Sequence, residues 1–186
     1  MAQLIHIANV SLDGYIEDEQ GSLEWTSTDD DVFVFLTELV RPVGTYLYGR
    51  RLYETMAVWE TDLALPAQSD LTAEFARVWQ SADKVVYSTT LEATSTERTR
   101  LERTFDPAAV RALKDSATRD LMIGGADLTA QAIEAGVLDE CHLLIRPVVL
   151  GGGKPALPRG RRVDLELLDE RRVGEAVVYV RCRVHS

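Results

Sequence analysis

The sequence predicts an α/β domain with a mostly parallel sheet and an antiparallel hairpin at its C-terminal end. Short β-prone runs alternate with helix-patterned segments as far as residue 150, the rhythm of strand-helix-strand units whose strands run parallel. From residue 163 to 184 apolar residues alternate on both sides of Gly174, the period of a two-stranded hairpin. A chain of 186 residues, 46% hydrophobic and 27% charged, can bury one substantial core. Residues 1–186 therefore read as a single domain, with no internal repeat or low-complexity linker.

Each element has its own signal. Residues 4–10 form an apolar first strand, closed by the turn-forming run Ser11-Leu12-Asp13-Gly14, after which the chain enters a loop. Val32, Phe33, Phe35, Leu36, Leu39 and Val40 recur at helical spacing until Pro42 and Gly44 stop them. Thr28 and Asp31 approximate a capping box at the start of this helix, and Asp29 and Asp30 suit the positive end of its dipole. Residues 45–48 are a strand, 50–56 a short helix, 57–69 irregular, 71–79 a helix and 84–87 a compact strand. A weak strand at 100–104 precedes Asp106-Pro107, an N-cap followed by proline at the first helical position, which opens a helix to residue 116. Residues 121–123 return as a strand and 127–135 as a helix capped by Asp127 and closed by Gly136. Residues 140–150 read as a strand carrying Pro147 late, as an edge or bulge does.

Composition excludes some partners. A formal net charge of -10 opposes binding of nucleic acids or acidic membranes over a broad surface, so an anionic ligand has to be met locally. Cys141 and Cys182 belong to no metal-ligand pair and read as buried thiols. With no basic leader followed by an apolar stretch and no run long enough to span a bilayer, the expected location is the cytoplasm.

The local meeting place is a set of strand-to-helix corners. Tyr48-Gly49-Arg50-Arg51 and Ile123-Gly124-Gly125-Ala126-Asp127-Leu128 each put glycine where a helix begins. Unpaired N–H groups, partial positive charge and the lack of a side chain let a phosphate approach there. Arg50 and Arg51 add guanidinium groups able to clamp a phosphate. Ser88-Thr89-Thr90 ends another strand at the same carboxyl edge, with hydroxyls within reach of a ribose or its phosphate. Each segment alone also reads as an ordinary turn or surface helix start; together they suggest a dinucleotide. Acid-base candidates are Asp13 and the run Asp29-Asp30-Asp31, each equally a turn former or helix cap. Gly151-Gly152-Gly153-Lys154-Pro155 reads either as a connector or as a flap that closes a pocket.

Taken in order, Ser11-Leu12-Asp13-Gly14-Tyr15-Ile16, the Gly49 and Gly124 corners, Val85-Val86-Tyr87-Ser88 and Arg146-Pro147-Val148-Val149-Leu150-Gly151-Gly152-Gly153-Lys154-Pro155 resemble the dihydrofolate reductase superfamily. The branch is the one similar to the reductase domain of the riboflavin-biosynthesis deaminase-reductase. The resemblance implies a dihydrofolate reductase-like fold with a central sheet of about eight strands, and NADPH as hydride donor. Carried over, it puts the cofactor's phosphates at Gly49, Arg50, Arg51, Gly124 and Gly125, with their neighbours Ile123, Ala126 and Leu128. Ser88 and Thr89 fall by the adenosine, and Ser11, Gly14 and Tyr15 along the nicotinamide. Asp13, Asp29 or Asp30 would orient the substrate or relay a proton. Leu52 stands where dihydrofolate reductases have Thr, and Ala126 where they have a third glycine. No deaminase motif accompanies the reductase segment. The resemblance implies a pterin-like or aminopyrimidine-ribose substrate, with the riboflavin-pathway uracil reductase step or a binding module without turnover as alternatives. The riboflavin step needs a cation for the substrate phosphate, for which Lys154 and Arg159 are candidates. The resemblance also implies a homodimer.

Overall fold

Strands that are apolar on both sides need cover on both faces, and the central strands of this protein have it. In the computed structural model, which describes residues 1–26 and 29–185, β1 (Leu4–Ser11) leads into a short β2 (Tyr15–Glu17), then α1 (Asp30–Val40), β3 (Val43–Gly49) and α2 (Arg50–Thr61). Next come α3 (Asp70–Ser81), β4 (Asp83–Tyr87), β5 (Thr99–Glu102), α4 (Pro107–Ser116), β6 (Asp120–Gly124) and α5 (Ala126–Glu134). The chain ends with β7 (Glu140–Arg146), β8 (Lys154–Pro155), β9 (Asp164–Val173) and β10 (Val177–His185). Eight strands form one sheet in the order β5-β4-β3-β6-β1-β7-β10-β9, and β2 pairs with β8 apart from it. The first six of that order run parallel, while β10 is antiparallel to both β7 and β9. The α/β class, the parallel core and the terminal hairpin are as the sequence predicts.

Alternate residues along a strand feed different cores. Ile5, Tyr46, Val86 and Leu144 lie in one with Trp79, Tyr53 and Val32 from α3, α2 and α1. Leu4, Leu47, Val85 and Cys141 lie in the other with Val110, Leu128 and Ile133 from α4 and α5.

Several boundaries differ from expectation. α2 runs on to Thr61, because Ala57, one turn beyond Tyr53, continues the buried stripe and no breaker follows before Pro66. β7 stops at Arg146: Pro147 has no N–H to give a ladder, and the chain turns there with Val148 N donating to Arg146 O. The cap of α1 is Asp29, whose carboxylate accepts Val32 N at 2.8 Å; the capping-box partner Thr28 lies outside the described residues. The loop after β1 contains β2, which the sequence alone does not reveal in three residues. Cys182 is half-buried rather than buried, directly opposite Cys141 in the β7-β10 register, and both are free thiols.

Candidate active site

Six parallel strands deliver their carboxyl ends to one edge, and two of the helices that follow begin there without a side-chain cap. Asp29, Ser69 and Asp106 cap α1, α3 and α4 through their own oxygens, whereas α2 and α5 start at Gly49 and Gly125 with no such bond. The first turns of these two helices therefore lack a side-chain acceptor, an arrangement that suits an anion. The expected cap from Asp127 is absent: this residue sits inside the first turn of α5 and pairs with Lys154 Nζ at 3.0 Å. The two corners touch. A Cβ built on Gly125 would lie 3.6 Å from Gly49 N, and Gly125 has φ +99°, a conformation that L side chains rarely adopt. At Gly49 a Cβ would meet nothing within 4 Å, so the space in front of α2 is open.

A polar cleft of about 690 Å³ runs over these corners. Arg50, Ser88, Thr89, Arg103 and Leu128 line it. Arg50 Nη1 donates to Thr90 Oγ1 at 2.8 Å and its Nε to Glu54 at 2.8 Å, which holds the guanidinium beside the end of β4. Ser88 Oγ accepts from Thr90 N and Leu91 N, and Arg103 Nη1 ties down the Ser88 carbonyl at 3.1 Å. Next to the cleft lies a chamber of about 320 Å³, reaching between the sheet and α1, α2 and α3. Arg51, Leu52, Gly125, Ala126 and Lys154 border both spaces, so cleft and chamber meet over the glycine corners.

Of the residues singled out from sequence, Gly49, Arg50, Arg51, Ser88, Thr89, Gly124, Gly125, Ala126 and Leu128 border the cleft or the chamber. Ile123 does not: it is fully buried in the α4-α5 core, and its carbonyl pairs with the His6 ring. Ser11, Asp13, Gly14 and Tyr15 form a hydrogen-bonded bracket and border neither space. Ser11 Oγ donates to Asp13 Oδ1 at 2.7 Å and accepts Tyr15 N, while Leu150 N and Gly151 N donate to the Asp13 carboxylate at 3.1 and 2.8 Å. The Ser11 hydroxyl first, then those backbone donors, pull the Asp13 carboxyl down to about 2, which unfits it as a proton relay near neutral pH. Gly14 O accepts Ala156 N, and Tyr15 packs under Arg159, whose guanidinium lies 4.8 Å from the ring centroid. Arg159 is thereby turned to this bracket, and it borders neither space. Of residues 11–17, Ile16 and Glu17 border the chamber.

Asp29 and Asp30 are likewise placed elsewhere, Asp29 as the cap of α1 and Asp30 exposed in its first turn. His142 and His6 are both buried. Tyr179 Oη donates to His142 Nδ1 at 2.8 Å, His142 Nε2 donates to Glu140, and Arg181 completes the carboxylate's shell. Burial holds His142 below its ordinary value despite Glu140. His6 Nδ1 is turned to Ile123 O, and burial lowers its value as well.

The glycine run is strapped down. A Cβ on Gly153, at φ +124°, would run into the Glu17 carbonyl, and β8 pairs with β2. That close packing sets Lys154 over the N-terminus of α5. Sequence reasoning missed Arg103, because extending β5 to residue 104 hid it inside a strand. Its position at the carboxyl end of a parallel strand was the available signal.

A family model described as the RibD C-terminal domain matches residues 2–179. The chain belongs to the RibD C-terminal domain family. The chain is similar to the uncharacterized protein YyaP of Bacillus subtilis (strain 168), 30% identical over 173 residues, 92% of this chain and 89% of that one. A putative riboflavin biosynthesis protein from Shewanella sp. PV-4 superposes with a TM-score of 0.74 at 20% identity over 100% of both chains. Acinetobacter baumannii RibD superposes with a TM-score of 0.70 at 14% identity, covering 100% of this chain but 58% of that one. Dihydrofolate reductase from Enterococcus faecalis, in complex with NADP(H) and RAB-propyl, gives 0.62 at 13% identity over 99% and 97% of the chains. The RibD C-terminal domain family thus comes with a dihydrofolate reductase-like fold. Among the described residues no helix is long and apolar enough to cross a membrane.

Proposed function

We propose that this member of the RibD C-terminal domain family is an NADPH-dependent reductase of a small ring substrate. The observation that carries the reading is the contact between the two uncapped helix starts at Gly49 and Gly125, over the joint of a polar cleft and an apolar chamber. Bare glycine and free N–H groups fit a pyrophosphate. Arg50, Thr89 and Arg103 fit the adenosine end with its 2′-phosphate, and Arg51 and Lys154 flank the joint. When bound, the nicotinamide supplies the hydride. The protein's own part is positioning: the glycine corners fix the phosphates, and the chamber holds the acceptor against the joint while excluding water. With Asp13, Asp29 and Asp30 away from the chamber, the proton comes from water at the mouth, where Glu17 stands.

Arg50→Ala tests the cofactor. NADPH affinity is expected to fall about tenfold or more, equivalent to about 1.4 kcal/mol, with little change for NADH, both measured by equilibrium titration. Equal losses for the two would overturn the assignment of Arg50 to the 2′-phosphate. The placement of Asp13, Asp29 and Asp30 outside the chamber lining favours one rival, a nucleotide-binding module without turnover. Tryptophan quenching by NADPH with no oxidation against any ring acceptor would decide for it.

We also propose a homodimer through the bare face of β7, β10 and β9. Leu143, Ile145 and Val180 are only partly buried there, and Leu167 and Val178 are 59% and 46% exposed. Glu170 and Arg172 flank this patch opposite Val180 and Val178. Opposite charges side by side on one face are self-complementary about a twofold axis, which fits a second copy of the chain. Val180→Glu is expected to convert a dimer to a folded monomer in light scattering; a wild-type monomer at micromolar concentration would refute the proposal.

A further inference from the structure

We infer that the chamber takes an uncharged, largely apolar planar ring with no phosphate of its own. This rests on the reductase reading, in which Arg51 and Lys154 at the joint serve the cofactor. The walls decide the class. Leu36 and Val40 come from α1, Leu52 and Met56 from α2, Phe75 and Trp79 from α3. Ile7, Tyr46, Tyr48 and Met122 on the sheet make the floor. Phe75 is backed by Trp59 at 4.6 Å and Phe33 at 5.5 Å between ring centroids, so this side is a stiff aromatic wall. Flat apolar surfaces of this kind favour flat apolar ligands.

Charge is confined to the mouth. Among the described lining residues the ionised groups are Glu17, Arg51 and Lys154, and each already has an opposite charge: Glu17 and Arg51 face one another at 3.9 Å, and Lys154 holds Asp127. His6 borders the chamber as a neutral ring, its value lowered first of all by burial. Beyond the mouth, the described lining residues offer a phosphate stripped of its water no cation, and a protonated aminopyrimidine no carboxylate. The interior therefore selects against the phosphoribosyl substrate of the riboflavin step and against a cationic pterin. A neutral conjugated ring with a reducible C=N or C=O bond suits it. The reaction then balances simply: NADPH gives two electrons and a hydrogen to the carbon, the π pair moves to the heteroatom, and that atom takes one proton from water.

Calorimetry separates this from the cofactor reading. NADP+ is titrated first, then quinoxaline, a neutral bicyclic with C=N bonds, and uridine 5′-monophosphate against the loaded protein. Quinoxaline is expected to bind at least tenfold more tightly than the nucleotide and to raise the melting temperature. Met56→Asp, which puts a charge in the wall, is expected to weaken quinoxaline at least tenfold with NADP+ affinity unchanged. Should that variant fail to fold, Thr55→Asp, at an exposed position of α2 that also borders the chamber, gives the same readout. Tighter binding of the nucleotide, or quinoxaline binding indifferent to the introduced charge, overturns the inference and leaves the cofactor reading standing. Failure of NADP+ to bind sinks the cofactor reading alone, because quinoxaline titrated against the unloaded protein still decides what the chamber accepts.

Discussion

Gly125→Val is expected to weaken NADPH binding about a hundredfold or more, equivalent to about 2.8 kcal/mol, and to lower stability as well. The two losses have separate causes. At φ +99° any branched side chain is strained, which costs about 1–3 kcal/mol. The binding loss comes from filling the gap in front of Gly49 N, which the Gly125 Cβ position approaches to 3.6 Å. Gly49→Ala isolates the second cause. Its φ of -71° is ordinary, and a Cβ there meets no atom within 4 Å, so the melting temperature should hold while NADPH affinity still falls. Thermal melts and equilibrium titration of both variants check this. If Gly49→Ala binds NADPH like the parent, the phosphates do not sit on these corners.

That pair of variants depends on a contact between residues 49 and 125, which no sequence pattern states. The corners themselves were legible, because glycine after an apolar run and before a helical pattern is a local signal. Their adjacency follows only from β3 lying beside β6, a pairing between strands far apart in the chain. The same distinction explains the aspartates. Asp13 in front of Gly14 is equally a turn former and an acid; what decides is Leu150 and Gly151, brought up by β7 lying beside β1. The apolar chamber was invisible for a related reason: Leu36, Met56, Phe75 and Trp79, which line it, belong to three separate helices. Whether these helices close completely or leave a space between them is set by helix packing. Local chemistry thus marks where a ligand can be held, and long-range pairing decides which marked residues remain available to it.

Trp79→Ala should remove about 3–5 kcal/mol of stability, the range for emptying a buried aromatic site, read from urea unfolding. Trp79 is fully buried, and Tyr48 and Lys84 both depend on it. Its Nε1 donates to Tyr48 Oη at 3.2 Å, its ring lies 4.2 Å from Lys84 Nζ, and its face walls the chamber. Lys84 is the more exacting of the two. Its ammonium is sealed from solvent, with Glu60 3.7 Å away and the Gln80 and Glu97 carbonyls at 3.4 Å. Burial pushes its value down, so the ring's attraction is part of what keeps it charged. Trp79→Phe preserves most of the wall and an aromatic face, but leaves the buried Tyr48 hydroxyl without its donor. That loss should cost about 1–3 kcal/mol. The ordering separates packing from hydrogen bonding: if Trp79→Phe is as damaging as Trp79→Ala, the tyrosine hydroxyl dominates and the wall contributes little. If the alanine variant loses less than about 1 kcal/mol, the site collapses freely, and the stiffness claimed for this side of the chamber is wrong.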